Sequence, residues 1–260
     1  MTLLEVTDVT VKFAGLTALD KVGFTVEDGS VHAILGPNGA GKSTCFNVLS
    51  GVYRATSGSV RLGRRELVGL APHRIAALGV ARTFQNIALA GRLTVADNLM
   101  LGRQRLMKAG FLSAGLRLPQ ARREEAEHRR RVAEIAEFIG LEDHLHSPVG
   151  VLPYGLRKRV ELGRALAMEP RLLLLDEPVA GMNGGERREM AALIRAAQRG
   201  LGLTVVIVEH DIGLVMNLAD RVTVLDFGRL IATGTPAEVQ RDPEVIRAYL
   251  GADPQQEHRS

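Results

Sequence analysis

The stretch GPNGAGKST, at residues 36–44, constrains the fold of this chain more than any other. It follows the β-type run SVHAIL and leads into TCFNVLS, which suits a helix. The spacing G-x-x-x-x-G-K-[ST] lets the backbone curl so that successive N–H groups point inward, beside the positive end of the helix dipole. Chance would produce the four fixed positions roughly once in a hundred chains of this length. The stretch predicts a strand, a phosphate-binding loop and a helix within an α/β fold.

The loop gives specific roles to its polar groups. We expect Lys42 to reach the β- and γ-phosphates of a nucleotide, and the Ser43 hydroxyl to ligate Mg²⁺. Cys45 fits a small buried residue better than a reactive thiol. The glycine spacing is wrong for a dinucleotide fingerprint. The predicted phosphate-binding residues are Gly36, Pro37, Asn38, Gly39, Ala40, Gly41, Lys42, Ser43 and Thr44.

Short runs rich in β-branched residues recur along the chain and alternate with amphipathic stretches of helix length. That alternation is typical of an α/β fold with parallel strands. Two runs are wholly apolar, LLLL at 172–175 and TVVIV at 204–208. We expect both to be central strands that are covered on both faces.

Between about residues 94 and 167, helical patterns replace the β-type runs. One of them has an apolar face from Val132 to Ile139. Its polar face predicts the i, i+4 ion pairs Glu125–Arg129 and Glu127–Arg131. We interpret the region as a helical insertion into the α/β core.

Acidic residues end one of the apolar strands. Asp176 and Glu177 follow the leucine run, where an Asp can hold Mg²⁺ through its water shell and a Glu can orient or deprotonate an attacking water. The pair becomes a strong signal because the same chain carries a phosphate loop. We expect both side chains at the nucleotide site.

Three further residues are weaker candidates. His210 follows the strand TVVIV and would share a sheet edge with the phosphate loop, so we favour a γ-phosphate contact over a structural role. Gln85, in ARTFQN, can coordinate Mg²⁺ or its water at a hinge between subdomains. Phe13 suits either adenine stacking or the core. The DFG at 226–228 lies between two strand-like runs, so Gly228 predicts a hairpin turn. A protein-kinase motif is rejected, because no H-R-D loop precedes it.

Length and composition fit one large domain. With 260 residues, 46% of them hydrophobic, the chain can fill a sizeable core. We expect a single domain over residues 1–251 and a disordered tail at 252–260. The net charge of +4, from 33 basic and 29 acidic side chains, argues against a dedicated nucleic-acid binder.

Cellular location follows from what the sequence carries and lacks. One cysteine suits a reducing compartment. The N-terminal MTLLEVTDVTVKF has no signal-peptide pattern. Every apolar run is well short of the roughly 18 residues that span a bilayer. We expect a soluble, cytoplasmic chain whose role at a membrane depends on other subunits.

In order along the chain, GPNGAGKST, TFQN, LPYGLRKRVELGRAL, RLLLLDEP and VEHD resemble the ATP-binding subunits of ABC transporters. The stretches FNVLSGVYRATSGSV, RIAALGVARTFQNIALAGRLTVADN and DPEVIRAYLG resemble those of branched-chain amino acid importers, which pair with a second, non-identical ATPase. The resemblance spans about Leu4 to Gly251. It implies a P-loop NTPase core of ABC ATPase type with an antiparallel β subdomain and an α-helical insertion subdomain.

The resemblance also implies roles and partners. Two such ATPases face head to tail with two ATP molecules between them, beside two transmembrane permeases and an external solute-binding protein. Glu177 becomes the catalytic base, His210 the γ-phosphate switch, and Ser43, Gln85 and Asp176 the Mg²⁺ ligands. The chain would lie at the cytoplasmic face of the membrane.

One motif departs from the family pattern. The signature segment that meets the partner's ATP, L-S-G-G-Q in most members, reads L-P-Y-G-L at Leu152–Leu156. Pro153 has no hydroxyl or N–H, and Leu156 replaces a polar side chain. Tyr154 and Gly155 keep the contact role in trans, through backbone N–H groups and the helix dipole. We expect a weakened second site, which a heterodimer tolerates better than a homodimer.

Other members of the superfamily fit less well. Chromosome and DNA-repair ATPases insert a long coiled coil between phosphate loop and signature, and translation factors carry two cassettes in one chain; neither feature is found here. A non-enzymatic nucleotide-binding regulator remains an alternative, as does an importer of urea, short amides or another small solute.

Overall fold

The computed structural model describes residues 1–83, 88–107 and 119–250, with no account of the side chains of 119–122 and 250. Its strands are β1 Thr2–Phe13, β2 Leu16–Glu27, β3 Val31–Leu35, β4 Ser57–Leu62, β5 Arg65–Glu66, β6 Val80–Arg82, β7 Leu172–Asp176, β8 Thr204–Val208, β9 Arg221–Asp226 and β10 Arg229–Gly234. Its helices are α1 Lys42–Leu49, α2 Pro72–Ala77, α3 Val95–Arg103, α4 Pro119–Phe138, α5 Tyr154–Leu166, α6 Gly184–Leu201, α7 Ile212–Leu218, α8 Pro236–Gln240 and α9 Pro243–Leu250. Short 3₁₀ turns occupy Gln104–Leu106, Glu142–His144 and Val149–Val151.

Two sheets organise these elements. An antiparallel sheet has the order β2-β1-β4-β5, and a larger one has the order β10-β9-β3-β8-β7-β6. In the larger sheet β9, β3, β8, β7 and β6 are parallel, and β10 alone pairs antiparallel, with β9. The predicted α/β fold with an antiparallel subdomain is therefore confirmed.

The two apolar runs are central strands, as predicted. Every residue of β7 and β8 is buried, and so is every residue of β3, which pairs with β8. Strands covered on both faces need no polar side chain until their ends, so polar groups gather where β7 and β8 stop. That edge of the sheet holds the candidate site.

Register aligns the ends of the three strands. Ile34 on β3 pairs with Val208 on β8, and Val208 pairs in turn with Asp176 on β7. The loops that follow β3, β7 and β8 therefore leave the sheet side by side. This is the carboxyl edge of a parallel sheet, where open α/β sheets bind their ligands.

Every described helix or strand element between β6 and β7 is helical, as expected. Val132 and Ala136 on α4 are buried in the core, as is Ile139 directly after the helix, and the chain turns at Gly140. The Glu125–Arg129 ion pair is present at 2.6 Å, but the predicted partner of Arg131 is wrong. Arg131 pairs instead with Glu134 at 2.6 Å and with Glu169 at 3.5 Å, a residue beyond α5 that the sequence could not place nearby.

None of the helices in the described ranges is long and apolar enough to cross a membrane.

Candidate functional site

The phosphate loop joins β3 to α1. Gly41 caps α1 with φ of 98°, a left-handed conformation that favours glycine. A Cβ at this position would also lie 2.8 Å from the Ala18 carbonyl oxygen. The loop is braced by the β9–β10 hairpin, since the Gly228 N–H donates to the Ala40 carbonyl at 3.0 Å. The predicted hairpin turn at Gly228 is confirmed, and the structure adds that this turn supports the phosphate loop.

Lys42 is folded back onto the loop. Its Nζ donates to the carbonyl oxygens of Gly36 at 2.7 Å and Pro37 at 2.8 Å. Burial lowers the pKa of the Lys42 ammonium, and the carboxylates of Glu177 and Asp176 raise it in part. That electrostatic coupling places one cation and two carboxylates, from separate elements, in one site.

Ser43 lies in the first turn of α1 and is exposed, so its hydroxyl is available to a ligand. Cys45, two residues on, is buried as predicted. Burial raises the pKa of its thiol to about 12, which keeps it protonated and unreactive at neutral pH.

Asp176 ends β7, and its carboxylate is nearly inaccessible. It accepts a hydrogen bond from the guanidinium of Arg82 at 2.8 Å. The same guanidinium donates to the side-chain oxygens of Asn47 and Ser50 on the α1 side, each at 2.7 Å. Arg82 therefore ties the acidic strand end to the helix that follows the phosphate loop.

Sequence reasoning missed Arg82. The stretch ARTFQN drew attention to Gln85, and a lone arginine there is not informative until its partner is known. The one available signal is an arginine ending a strand, β6, that is otherwise buried. Gln85 lies outside the described residues, so its predicted Mg²⁺ role stays a prediction.

Glu177 follows Asp176 with φ of 46°. A non-glycine residue in this left-handed region is strained, and such strain concentrates at functional sites. The conformation is held because the Glu177 N–H donates to the Val208 carbonyl at the end of β8, at 2.9 Å. The loop after β7 is thereby fastened to its neighbouring strand.

His210 stands two residues after β8, and its ring is largely exposed, at 61%. The next residue, Asp211, caps α7 by accepting from the Leu214 N–H at 3.0 Å. Its carboxylate also pairs with Arg187 on α6 at 3.0 Å. The backbone around His210 is therefore fixed, and its imidazole, whose Nδ1 lies 4.0 Å from Glu209 Oε2, is exposed to a ligand.

Phe13 is not a core residue, because its side chain is 42% exposed. Its ring packs edge-on against that of Tyr53, with centroids 5.1 Å apart. The Tyr53 N–H donates to the Asn47 carbonyl, so the aromatic pair is attached to α1. The structure excludes the core alternative for Phe13, and its adenine-stacking role stays a prediction.

The segment Leu152–Leu156 forms the start of α5, and Pro153 occupies the N-cap position without a side-chain cap. Tyr154 and Gly155 lie in the first turn, where free N–H groups point out of the helix. A Cβ on Gly155 would meet the Glu186 carboxylate at 2.5 Å. Glu186 belongs to the capping box of α6, whose N-cap is Asn183. The starts of α5 and α6 therefore fit against each other.

Three features together define a nucleotide-binding cassette. They are a strand–loop–helix phosphate site, acidic and histidine residues at the ends of the adjoining strands, and a helical insertion. The chain belongs to the ABC transporter family, whose model matches residues 19–180. A second model, described as branched-chain amino acid ATP-binding cassette transporter, matches residues 229–254. As a member of this family, the chain is an ATPase that couples hydrolysis to transport.

Similar proteins indicate the branch of the ABC transporter family to which this chain is related. The chain is 40% identical over 249 residues to the high-affinity branched-chain amino acid transport ATP-binding protein BraF of Pseudomonas aeruginosa, covering 96% of this chain and 98% of that one. It is 39% identical, over the same shares, to the LivG protein of Escherichia coli, which has the same description. A crystal structure of the ADP conformation of an ATP-binding cassette of an ABC transporter superposes with a TM-score of 0.84 at 31% identity, covering 96% of this chain and 99% of that one.

Proposed function

We propose that this chain hydrolyses Mg-ATP to drive import of branched-chain amino acids. The observation that supports hydrolysis is the register of β3, β8 and β7, which aligns the carboxyl ends of the three strands. In the proposal, Lys42, Asp176, Glu177 and His210, which lie at or just after these ends, would supply a phosphate cation, a metal ligand, a base and a γ-phosphate contact.

In the proposed reaction the N–H groups of Gly36–Thr44 surround the phosphates of ATP. Lys42 exchanges the carbonyls of Gly36 and Pro37 for β- and γ-phosphate oxygens. Glu177 orients the attacking water and accepts its proton, while the exposed His210 contacts the γ-phosphate. Phe13 stacks on the adenine from the side of α1.

The donor set suits Mg²⁺. Within the described ranges no group of three His, Cys, Asp or Glu side chains can hold a metal. Mg²⁺ does not need one, since it binds through one or two protein oxygens, waters and the phosphates of its nucleotide. Ser43 and Asp176 would hold it, with Gln85 as a further candidate. When bound, the ion neutralises charge on the β- and γ-phosphates.

We propose that the partner is a second, non-identical ATPase. The intact loop and Glu177 of this chain would act against the partner's signature segment. The partner's ATP would meet Tyr154 and Gly155 here, without the hydroxyl that Pro153 lacks. The missing hydrogen bond to a charged phosphate would cost about 1.5–3 kcal/mol. In a homodimer both ATP sites would lack this bond, whereas in a heterodimer only one would.

The permeases would dock in a groove between α1 and α2 on one side and α3 and α5 on the other. It has a volume of about 550 Å³ and adjoins Arg82, which contacts Asp176. A permease loop seated there would therefore lie one side chain away from the proposed Mg²⁺ ligand. Its apolar lining includes Val52, Ile75, Leu101 and Met168.

Through the permeases the chain would lie at the cytoplasmic face of the membrane. An external solute-binding protein would deliver the solute to the permeases, and nucleic acid would have no role.

The substrate is testable by uptake. A host strain lacking the gene, complemented with the wild type, should recover uptake of labelled leucine, isoleucine and valine, and the Glu177→Gln variant should not restore it. Recovery of urea or short-amide uptake instead would favour the alternative importer and overturn the amino-acid assignment.

A further inference from the structure

Glu209 is a fully buried carboxylate between β8 and His210 that the reaction described above does not use. Its side chain is completely inaccessible to solvent. One carboxylate oxygen, Oε1, accepts a hydrogen bond from the Val179 N–H at 3.2 Å. The other, Oε2, accepts from the His210 N–H at 3.3 Å.

Keeping a carboxylate in this position is costly. Burial raises the pKa of Glu209, and the N–H groups of Val179 and His210 lower it in part. A residue of the same length without a charge would avoid that desolvation cost. An amide of the same length has only one acceptor oxygen, so one of the two N–H groups would lose its hydrogen-bond partner.

The two bonds connect the two loops that carry the proposed chemistry. Val179 is two residues after Glu177, and its carbonyl accepts from the Met182 N–H as the loop approaches α6. His210 is the adjacent residue on the other loop. The Glu177 N–H already binds the end of β8, so Glu209 adds a second attachment at the far side of the same loop.

We propose that Glu209 is a positioning residue that fixes the separation between Glu177 and His210 during ATP hydrolysis. It holds both backbones from beneath the site and does not touch the nucleotide. The inference rests on the proposed function, because it matters only if Glu177 and His210 act on one γ-phosphate.

Glu209 should affect turnover more than nucleotide affinity. The phosphate loop is held by other contacts, from Ala40 to Gly228 and from Lys42 to the carbonyls of its own loop. These do not involve Glu209. Without Glu209, ATP would still bind, but Glu177 and His210 would lose their fixed spacing. Small misplacements of catalytic groups lower the rate of the chemical step strongly.

The test compares Glu209→Ala and Glu209→Gln with the wild type, each as full chain co-expressed with its permease and partner ATPase subunits. ATP turnover, KM and the melting temperature are measured for each. Glu66→Gln is the matched control, because Glu66 also accepts two backbone N–H groups, from Val60 at 2.9 Å and Val68 at 3.0 Å, but in the antiparallel sheet.

We expect Glu209→Ala to lower kcat roughly tenfold or more, because both hydrogen bonds to the two loops are lost, with KM within about twofold of the wild type. Glu209→Gln keeps the size of the side chain and one acceptor oxygen, so its kcat should lie between those of the wild type and the Glu209→Ala variant. Glu66→Gln should leave kcat unchanged. Since Gln preserves the packing, its kcat decides the matter even if the Ala variant does not fold.

Two results would overturn the inference while leaving the proposed function intact. One is wild-type kcat in a folded Glu209→Gln variant. The other is a fall in kcat that is accompanied by a comparable fall in ATP affinity and by a lower melting temperature. That combination would indicate a purely structural role for Glu209. A wild-type complex that does not hydrolyse ATP would refute the proposed function itself, and the inference with it.

Discussion

Lowering the pH should destabilise this protein through His32, a buried residue of β3. Its Nε2 lies 2.9 Å from the Thr223 hydroxyl, and its ring stacks on Phe24 with centroids 5.3 Å apart. Within the described part of the chain its Nδ1 has no hydrogen-bond partner, so a protonated ring would bury an unpaired donor. Burial, with a smaller effect of Arg221, lowers the pKa of His32 from 6.5 to about 4.

The direction and size of this pH effect on stability follow from the linkage between protonation and folding. Between these two pKa values the unfolded chain binds a proton that the folded chain does not, so stability falls as the pH falls. The loss begins near the unfolded pKa of 6.5 and is complete below the folded value of about 4. Between pH 7 and pH 5 it amounts to about 2 kcal/mol, since each pH unit inside the window contributes about 1.4 kcal/mol.

Urea unfolding at pH 7, 6, 5 and 4.5, on the wild type and on His32→Phe, isolates this effect from other titrating groups. The variant keeps the stacking on Phe24 but cannot be protonated. It should be less stable than the wild type at pH 7, by about 1 kcal/mol for the lost bond to Thr223, and the difference should vanish or reverse by pH 5. A difference in unfolding free energy that stays constant from pH 7 to 4.5 would refute the reasoning.

Two further predictions concern buried side chains near the site. Because the pKa of the Cys45 thiol is raised to about 12, a thiol reagent at pH 8 should label the folded chain about a thousandfold more slowly than the chain unfolded in guanidinium; equal rates would contradict its burial. Replacing Arg82 by Met should destabilise the fold by about 3–5 kcal/mol in urea unfolding, because the buried Asp176 loses its ion-pair partner at 2.8 Å; a loss below about 1 kcal/mol would show that Asp176 finds another.

Local pattern in the sequence is enough to point to several candidate site residues. The phosphate loop needs glycines at fixed spacing, and Asp176 and Glu177 stand out because they end a wholly apolar run. His210 could be placed at the same sheet edge only by assuming parallel strands. The register of Ile34, Val208 and Asp176 supplies that alignment.

Tertiary partners could not be predicted in this way. Arg82 matters because Asp176 lies 94 residues away in the chain but 2.8 Å away in space. Glu209 appears in the sequence only as a charged neighbour of His210, and its bond to Val179 becomes visible only in the fold. The Glu127–Arg131 pair was wrong because Arg131 pairs with Glu134 on its own helix, and with Glu169, which approaches from outside that helix.

The role of Asn183 also becomes visible only in the fold. It caps α6 and accepts from the N–H groups of Gly185 and Glu186. Asn is among the side chains that cap helix N-termini best.

The central claim is that this chain turns over its own ATP against a different partner's signature segment. Light scattering after size exclusion, on purified Glu177→Gln protein with and without Mg-ATP, tests it most directly. We predict a chain that binds ATP but remains monomeric, and that forms a dimer only when the non-identical ATPase is added. A homodimer that forms on adding Mg-ATP would show that Leu152–Leu156 closes on nucleotide unaided, and would contradict the claim.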